Sequence, residues 1–236
     1  MRNVDEMLLR AINKRDSETV KIAIYLGANP NYVISNTKDT PLHRAAIKDS
    51  TEIIKILINS RANLDTKNKW GRTPLHEAVN SNSPHAIKLL LELGANPNSK
   101  DNDGTPILHD SMRNLFRSTK MLLEGGADPN IQDNFNRTAL YLALDGIERK
   151  LYEKKIVKIL LEGGADPNIQ GLGGRTPLHE SSWMNSFEMT KILLEGGANP
   201  NIKADCGFTP LNEISKTKSR EKVAELLVNA SRNYKL

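Results

Sequence analysis

The stretch Gly71-Arg72-Thr73-Pro74-Leu75-His76-Glu77-Ala78 decides the fold, because the rest of the chain keeps returning to it. The block it opens closes with Leu89-Leu90-Leu91-Glu92-Leu93-Gly94-Ala95-Asn96-Pro97-Asn98. Thr-Pro-Leu-His stands at 40–43, 73–76 and 176–179, with looser copies at Pro106-Ile107-Leu108-His109, Thr138-Ala139-Leu140-Tyr141 and Thr209-Pro210-Leu211-Asn212. The slots of His43, His76, His109, Tyr141, His179 and Asn212 are spaced by 33, 33, 32, 38 and 33 residues. Such a period outranks any local reading, because each copy is one unit that buries its apolar face only by stacking on its neighbours.

Within a copy the local chemistry predicts two short helices. Thr73 is placed to cap the first, with Pro74 at the first helical position, where its missing N–H costs nothing. Ile87, Leu89, Leu90 and Leu91 mark the second, predicted to start near Pro84, and Gly94 stops it. Residues 1–31 form a shortened first copy ending in Gly27-Ala28-Asn29-Pro30-Asn31. In the second copy, Ser60 is read as standing in the Gly slot, which predicts a slightly strained turn. In the fourth, Thr105-Pro106 lies one place early relative to the frame set by Gly71 to Gly104 and His76 to His109, which predicts a distorted first turn. In the fifth, Tyr141 to Ala165 is longer by five residues than His76 to Ala95, and the excess falls around 146–152. The whole reads as seven helical pairs, six of them with a recognisable opening phrase.

The repeated phrase and its period resemble those of an ankyrin repeat protein, over nearly the whole chain. The resemblance implies an all-α repeat solenoid with short β-turn fingers between helix pairs, such as the segments 65–72 and 130–137. It implies one ankyrin repeat domain over 1–236, with an N-terminal capping unit at 1–36, central repeats at 38–206 and a C-terminal repeat or cap at 207–236. It also implies that the Thr and His of each phrase link neighbouring turns through hydrogen bonds.

The composition fits a thin stack better than a thick core: 38% of residues are apolar and 5% aromatic. The 33 basic and 28 acidic residues leave a net charge of +5, too small and scattered to argue for nucleic acid. Cys206 has no second cysteine to pair with, which is compatible with a reducing compartment. No run of apolar residues reaches membrane-spanning length. A cytoplasmic chain, or one in a host cytoplasm or nucleus, is the expectation, with no DNA or membrane partner and a monomeric free state.

The residues that suggest chemistry read as structural. Four of the five histidines share one repeated slot, and equivalent slots in stacked units lie about 10 Å apart, too far for a shared tetrahedral metal site. The Gly pairs at 125–126, 163–164 and 196–197 follow helices rather than precede them, and lack a Gly-Lys-Ser/Thr ending. Glu77, Glu180 and Glu213 occupy one slot in different units and form no catalytic pair. The expectation is no enzyme, no cofactor and no metal.

Binding belongs to the positions that the repeat leaves free. Carried over by position, the resemblance places the partner surface on a concave face and finger tips. It comprises Lys67, Lys69, Trp70, Arg72 and Glu77, then Asn102, Asp103 and Asp110, then Phe135, Arg137 and Leu142. Leu172, Arg175, Glu180 and Trp183 follow, and the last finger adds Asp205 and Phe208. Trp70, Phe135 and Phe208 are read as comparable finger positions in a chain with few aromatics, and Trp and Arg are enriched among residues that carry binding energy. The reading is a non-enzymatic protein–protein interaction module. Its narrower form is a pathogen- or virus-encoded effector or inhibitor of a host signalling protein. The alternatives are a nucleotide- or oligonucleotide-sensing array and a structural or assembly scaffold.

Overall fold

The computed structural model describes residues 3–114, 116–145, 153–214 and 221–234. The lengthened segment 146–152 lies outside them. The chain packs as two compact units, Met1–Ala127 and Asp128–Leu236.

Among the described residues of the first unit, eight helices form four pairs: α1 (Asn3–Lys14) with α2 (Ser17–Tyr25), α3 (Pro41–Ile47) with α4 (Thr51–Asn59), α5 (Pro74–Asn80) with α6 (Pro84–Glu92), and α7 (Ile107–Asn114) with α8 (Phe116–Glu124). The first members stack α1, α3, α5, α7 and the second members α2, α4, α6, α8. In the second unit α9 (Ala139–Asp145) pairs with α10 (Glu153–Glu162) and α11 (Pro177–Trp183) with α12 (Phe187–Glu195). A 3-10 turn at Pro210–Glu213 precedes α13 (Glu221–Asn233). The seventh copy therefore opens with a 3-10 turn among the described residues, not with the expected α-helix. Ile214 already has an extended backbone, which ends the turn.

The core is a succession of thin layers. Leu42, Ala45 and Ala46 of α3 are fully buried, as are Leu75, Ala78 and Val79 of α5, against Ile54 and Leu57 of α4 and Ile87 and Leu90 of α6. Small residues on the first helix let its partner approach, and the partner supplies the bulk. Each fully buried Leu or Ile is worth about 1.5–3 kcal/mol relative to exposure. No described helix is long and apolar enough to cross a membrane.

The expected β-turn fingers are not found. Among the described residues there is no β-strand, only an isolated antiparallel bridge between Lys100 and Pro106. The segments between pairs are small loops, each closed by a backbone bond of its own. Asn68 N–H donates to Arg72 C=O (2.9 Å), Asp101 to Thr105 (3.1 Å), Asp133 to Arg137 (2.9 Å), Gly171 to Arg175 (2.7 Å) and Ala204 to Phe208 (2.8 Å). A ladder needs successive pairs, and only the loop at 99–107 adds a second, the Ile107 amide on Ser99 C=O (3.2 Å).

Loops within a unit are also bonded to each other. Lys69 N–H donates to Thr37 C=O and Asn102 N–H to Trp70 C=O, each at 2.9 Å. The Asn102 side-chain amide reaches Lys69 C=O at 2.9 Å. Gly71 permits this approach: its φ is +75°, and a Cβ there would stand 2.6 Å from the Asn102 backbone nitrogen and would overlap its side chain. Across the other ends of the helices runs a second set of bonds. Asn31 accepts from the Asn63 amide (2.8 Å), Asp65 from that of Asn96 (3.1 Å), Asn130 from Asp166 (2.8 Å) and Asn168 from Asn199 (2.6 Å).

The strained turn expected at Ser60 belongs to its neighbour. Ser60 has φ −91°, and Arg61 takes φ +68°, in the position where Gly27, Gly94, Gly126, Gly164 and Gly197 stand in other copies. Arg61→Gly should therefore stabilise the chain by about 0.5–1 kcal/mol. Gly71→Ala, which meets both a forbidden backbone region and backbone atoms of the next loop, should cost about 2 kcal/mol or more. Urea denaturation of the two variants beside wild type measures both, and the signs should be opposite.

Candidate functional site

The hydrogen bonds of the repeated histidine show what the phrase does. In α3 the Thr40 amide donates to His43 Nδ1 (3.1 Å), and the Thr40 hydroxyl lies 2.9 Å from the same nitrogen. Nδ1 is thereby an acceptor, so Nε2 carries the hydrogen and donates to Arg72 C=O of the next loop at 3.0 Å. His179 repeats the arrangement with Thr176 and with Phe208 C=O (3.0 Å). Asn212 copies the half that faces its own helix: its Oδ1 accepts from the Thr209 amide (2.8 Å) and hydroxyl (2.9 Å). Every one of these imidazole nitrogens is spent on holding the stack, which leaves no acid, base or ligand to spare at His43 or His179.

His76 keeps the Thr73 bonds (3.0 and 2.9 Å), but its buried Nε2 has no hydrogen-bond partner among the described residues. The copy that follows His76 is the one with the displaced Thr105-Pro106. Counting from the histidine, Pro106 occupies the capping position held elsewhere by Thr73, and it brings no hydroxyl. Helix α7 starts instead with the Ile107 amide on Ser99 C=O (3.2 Å). Burial lowers the His76 pKa from 6.5 to about 4, and lowers those of His43 and His179 too.

The slot after the histidine ties helix to loop. Arg44 pairs with Asp39 (3.2 Å), and Glu77 accepts from Asn68 Nδ2 (3.1 Å), which also donates to Asp39 (2.9 Å). Burial raises the Glu77 carboxyl above its usual range, partly offset by the Asn68 bond. Asp110 is buried and Leu142 half-buried in the same slot. Arg72 lies 3.8 Å from Asp101. Arg137 is locked onto Asp133 through Nε (2.9 Å) and a terminal nitrogen (2.8 Å). Burial pushes the Asp133 carboxyl up, but Arg137 and the loop amides outweigh it and hold the carboxyl low.

The sixth copy solves the same problem with other residues, a network not foreseen from the sequence. Tyr141 holds the histidine slot, and its ring fills the space where the first loop residue would carry Asp or Asn. That residue is Gly171, whose Cβ would lie 2.8 Å from the Tyr141 ring. With no carboxylate in the loop, Arg175 turns to Glu180 (2.6 Å) and Glu213 (2.6 Å), and the Tyr141 hydroxyl donates to Glu180 (2.8 Å). Two departures from the repeat at once, Tyr for His and Gly for Asp, were the available signal.

The remaining sequence-predicted residues face solvent. In the first unit these are Lys67, Lys69, Trp70, Asn102 and Asp103. Trp70 is 45% exposed, with Lys69 Nζ 4.3 Å from its ring centroid. In the second unit they are Phe135, Leu172, Trp183, Asp205 and Phe208. Phe135 is 60% exposed and carries the Arg137 guanidinium 4.9 Å from its ring centroid. Trp70 and Phe135 share one loop slot, two places after the closing residue. Phe208 instead takes the slot of Arg72, Arg137 and Arg175, directly before the capping Thr.

The family model for ankyrin repeats in three copies matches residues 8–101, 108–204 and 147–235. The chain belongs to the ankyrin repeat family. Among solved structures, the ankyrin repeat domain of Bcl-3, a unique member of the IkappaB protein family, superposes with a TM-score of 0.83. It is 24% identical, over 92% of this chain and 97% of that one. The human ASB11 ankyrin repeat domain gives 0.70 at 26% identity, over 93% and 96%. No curated protein matches the chain in sequence. Membership among ankyrin scaffolds carries the non-enzymatic character expected from the sequence.

Two measurements probe this geometry. The folded imidazoles bind protons less readily than the unfolded chain, so stability should be full above pH 6.5 and fall progressively towards pH 4. His76 alone should account for on the order of 3 kcal/mol of that loss. Denaturant melts at stepped pH test it, and His76→Asn, which can copy the Asn212 bonds, should flatten the curve. Gly171→Asp should cost about 2 kcal/mol or more through overlap with the Tyr141 ring. Adding Tyr141→His should recover at least about 1 kcal/mol of it, read as a coupling in a double-mutant cycle.

Proposed function

We propose that the chain is a protein-binding module that engages its partner through side chains displayed on the inter-unit loops and the end of α11. The observation that carries this is the pairing of exposed large apolar groups with a fixed backbone. Trp70 sits on a loop bonded to both neighbouring loops, at Lys69 to Thr37 and at Trp70 to Asn102. Phe135 sits on a loop whose Asp133 carboxylate accepts the Phe135 and Arg137 amides, each at 2.9 Å. Trp183 is 52% exposed at the end of α11. A large side chain held on a rigid support loses little entropy on binding, which is what anchor residues require. Glu77, Arg137, Arg175 and Glu180 support this display by fixing the loops from behind.

The narrower reading, a pathogen- or virus-encoded effector that sequesters a host signalling protein, is a form of the same proposal. It draws on the sequence resemblance.

Affinity capture from a eukaryotic lysate with wild type and a Trp70→Ala/Phe135→Ala/Trp183→Ala variant tests the display. A partner held by wild type should be lost by a variant whose circular dichroism is unchanged, with each side chain worth about 2 kcal/mol. Equal capture by both overturns the assignment.

A further inference from the structure

The loop that carries Trp70 holds basic residues and no acid of its own. Between Asp65 and Glu77 the sequence holds Lys67, Lys69 and Arg72 and no carboxylate. The bordering acids are already occupied: Asp65 accepts the Asn96 amide, Glu77 the Asn68 side chain, and Asp101 the Asp103 and Thr105 amides while lying 3.8 Å from Arg72. Arg72 is thus answered, and the two ammonium groups are not. Among the described residues neither Lys67 nor Lys69 has a carboxylate within ion-pair distance. Lys67 Nζ donates to Lys100 C=O (2.8 Å), which fixes its position without neutralising it.

Lys38, on the preceding loop, adds a third cation. It is exposed, with φ +56°, one residue beyond the Thr37 carbonyl that accepts the Lys69 amide. Asp103 on the following loop bounds the patch on the other side. Three lysines on two bonded loops therefore accompany one half-exposed indole, with the Lys69 ammonium over its ring.

We infer that Lys38, Lys67 and Lys69 with Trp70 form a docking surface for an acidic polypeptide segment, with an apolar side chain of that segment against the indole. The inference rests on the protein-binding reading above and names the partner chemistry of part of that surface. Lysines suit dispersed carboxylates, because each is a point charge with rotatable donors rather than a planar fork for bidentate recognition. A stacked nucleobase is disfavoured, because the Lys69 ammonium already covers one indole face at 4.3 Å. The charge steers the approach and fixes register, and the indole supplies the buried apolar contact.

The test is fluorescence anisotropy with a short labelled peptide of Glu and Asp carrying two leucines. It is run beside the same peptide with Lys for every acid, and a labelled oligothymidylate of equal charge. The acidic peptide should bind, and binding should weaken steeply as salt rises. Lys67→Glu/Lys69→Glu should lower the affinity at least about tenfold and flatten the salt dependence. Trp70→Ala should lower it about tenfold and leave the salt dependence in place. Circular dichroism of each variant confirms folding, and Lys38→Glu, at an exposed loop position, serves if the double variant does not fold. No binding, equal binding of the basic peptide, indifference to the lysine variants, or tighter binding of the oligothymidylate would each overturn the inference. If the acidic peptide fails while the aromatic variant still loses its captured partner, only the acidic chemistry falls. If the peptide binds while capture ignores the aromatics, the wider display falls and the acidic site stands.

Discussion

The stack depends on a histidine that works in two directions. One ring nitrogen accepts from the amide that would otherwise be orphaned at a helix start, and the other donates to the carbonyl of the next loop. Both functions need a neutral imidazole in one tautomer, and both lie where water does not reach. A Thr–Glu capping box satisfies only its own helix. Here the same device also sets the distance to the neighbouring copy, so local capping and long-range stacking are one event. Asn212 separates the two functions, because its short side chain does the local half.

Most of the architecture was legible because the repeat writes it several times over. Helix starts at Pro41, Pro74, Pro84 and Pro177 follow from cap and proline chemistry. The displaced Thr105-Pro106 gave notice of an irregular fourth copy, whose first helix starts with the Ile107 amide on Ser99 C=O. The strain placed on Ser60 falls on Arg61, because the left-handed residue is the one directly before the repeated Ala. Among the described residues the β-turn fingers implied by resemblance are not found, because the loops close on themselves before a strand ladder forms. The opening of the last copy departs from expectation because Ile214 leaves the helical region one residue after Glu213.

The candidate surface was legible only in part, for a physical reason. Sequence variation between copies marks positions released from the scaffold, yet it equally marks positions where copies meet one scaffold need by different chemistry. Glu77, Asp110, Leu142 and Glu180 vary and still face inward or towards their own loop. Trp70, Phe135 and Trp183 vary and face solvent. Distinguishing the two kinds requires partners and not just periodicity: Glu180 looks like Glu77 in sequence, but one serves an arginine and a tyrosine and the other an asparagine.

Gly171 and Tyr141 have a consequence for how this sequence can change over time. The ring and the missing side chain share one volume, so a change at either position is felt at the other. An Asp arriving first at 171 has nowhere to go. A His arriving first at 141 leaves a gap beside the glycine and withdraws a donor from Glu180. The second route is the milder, since a void and a lost bond are tolerated more readily than an overlap of atoms. Change at this pair therefore has a preferred order, position 141 before position 171.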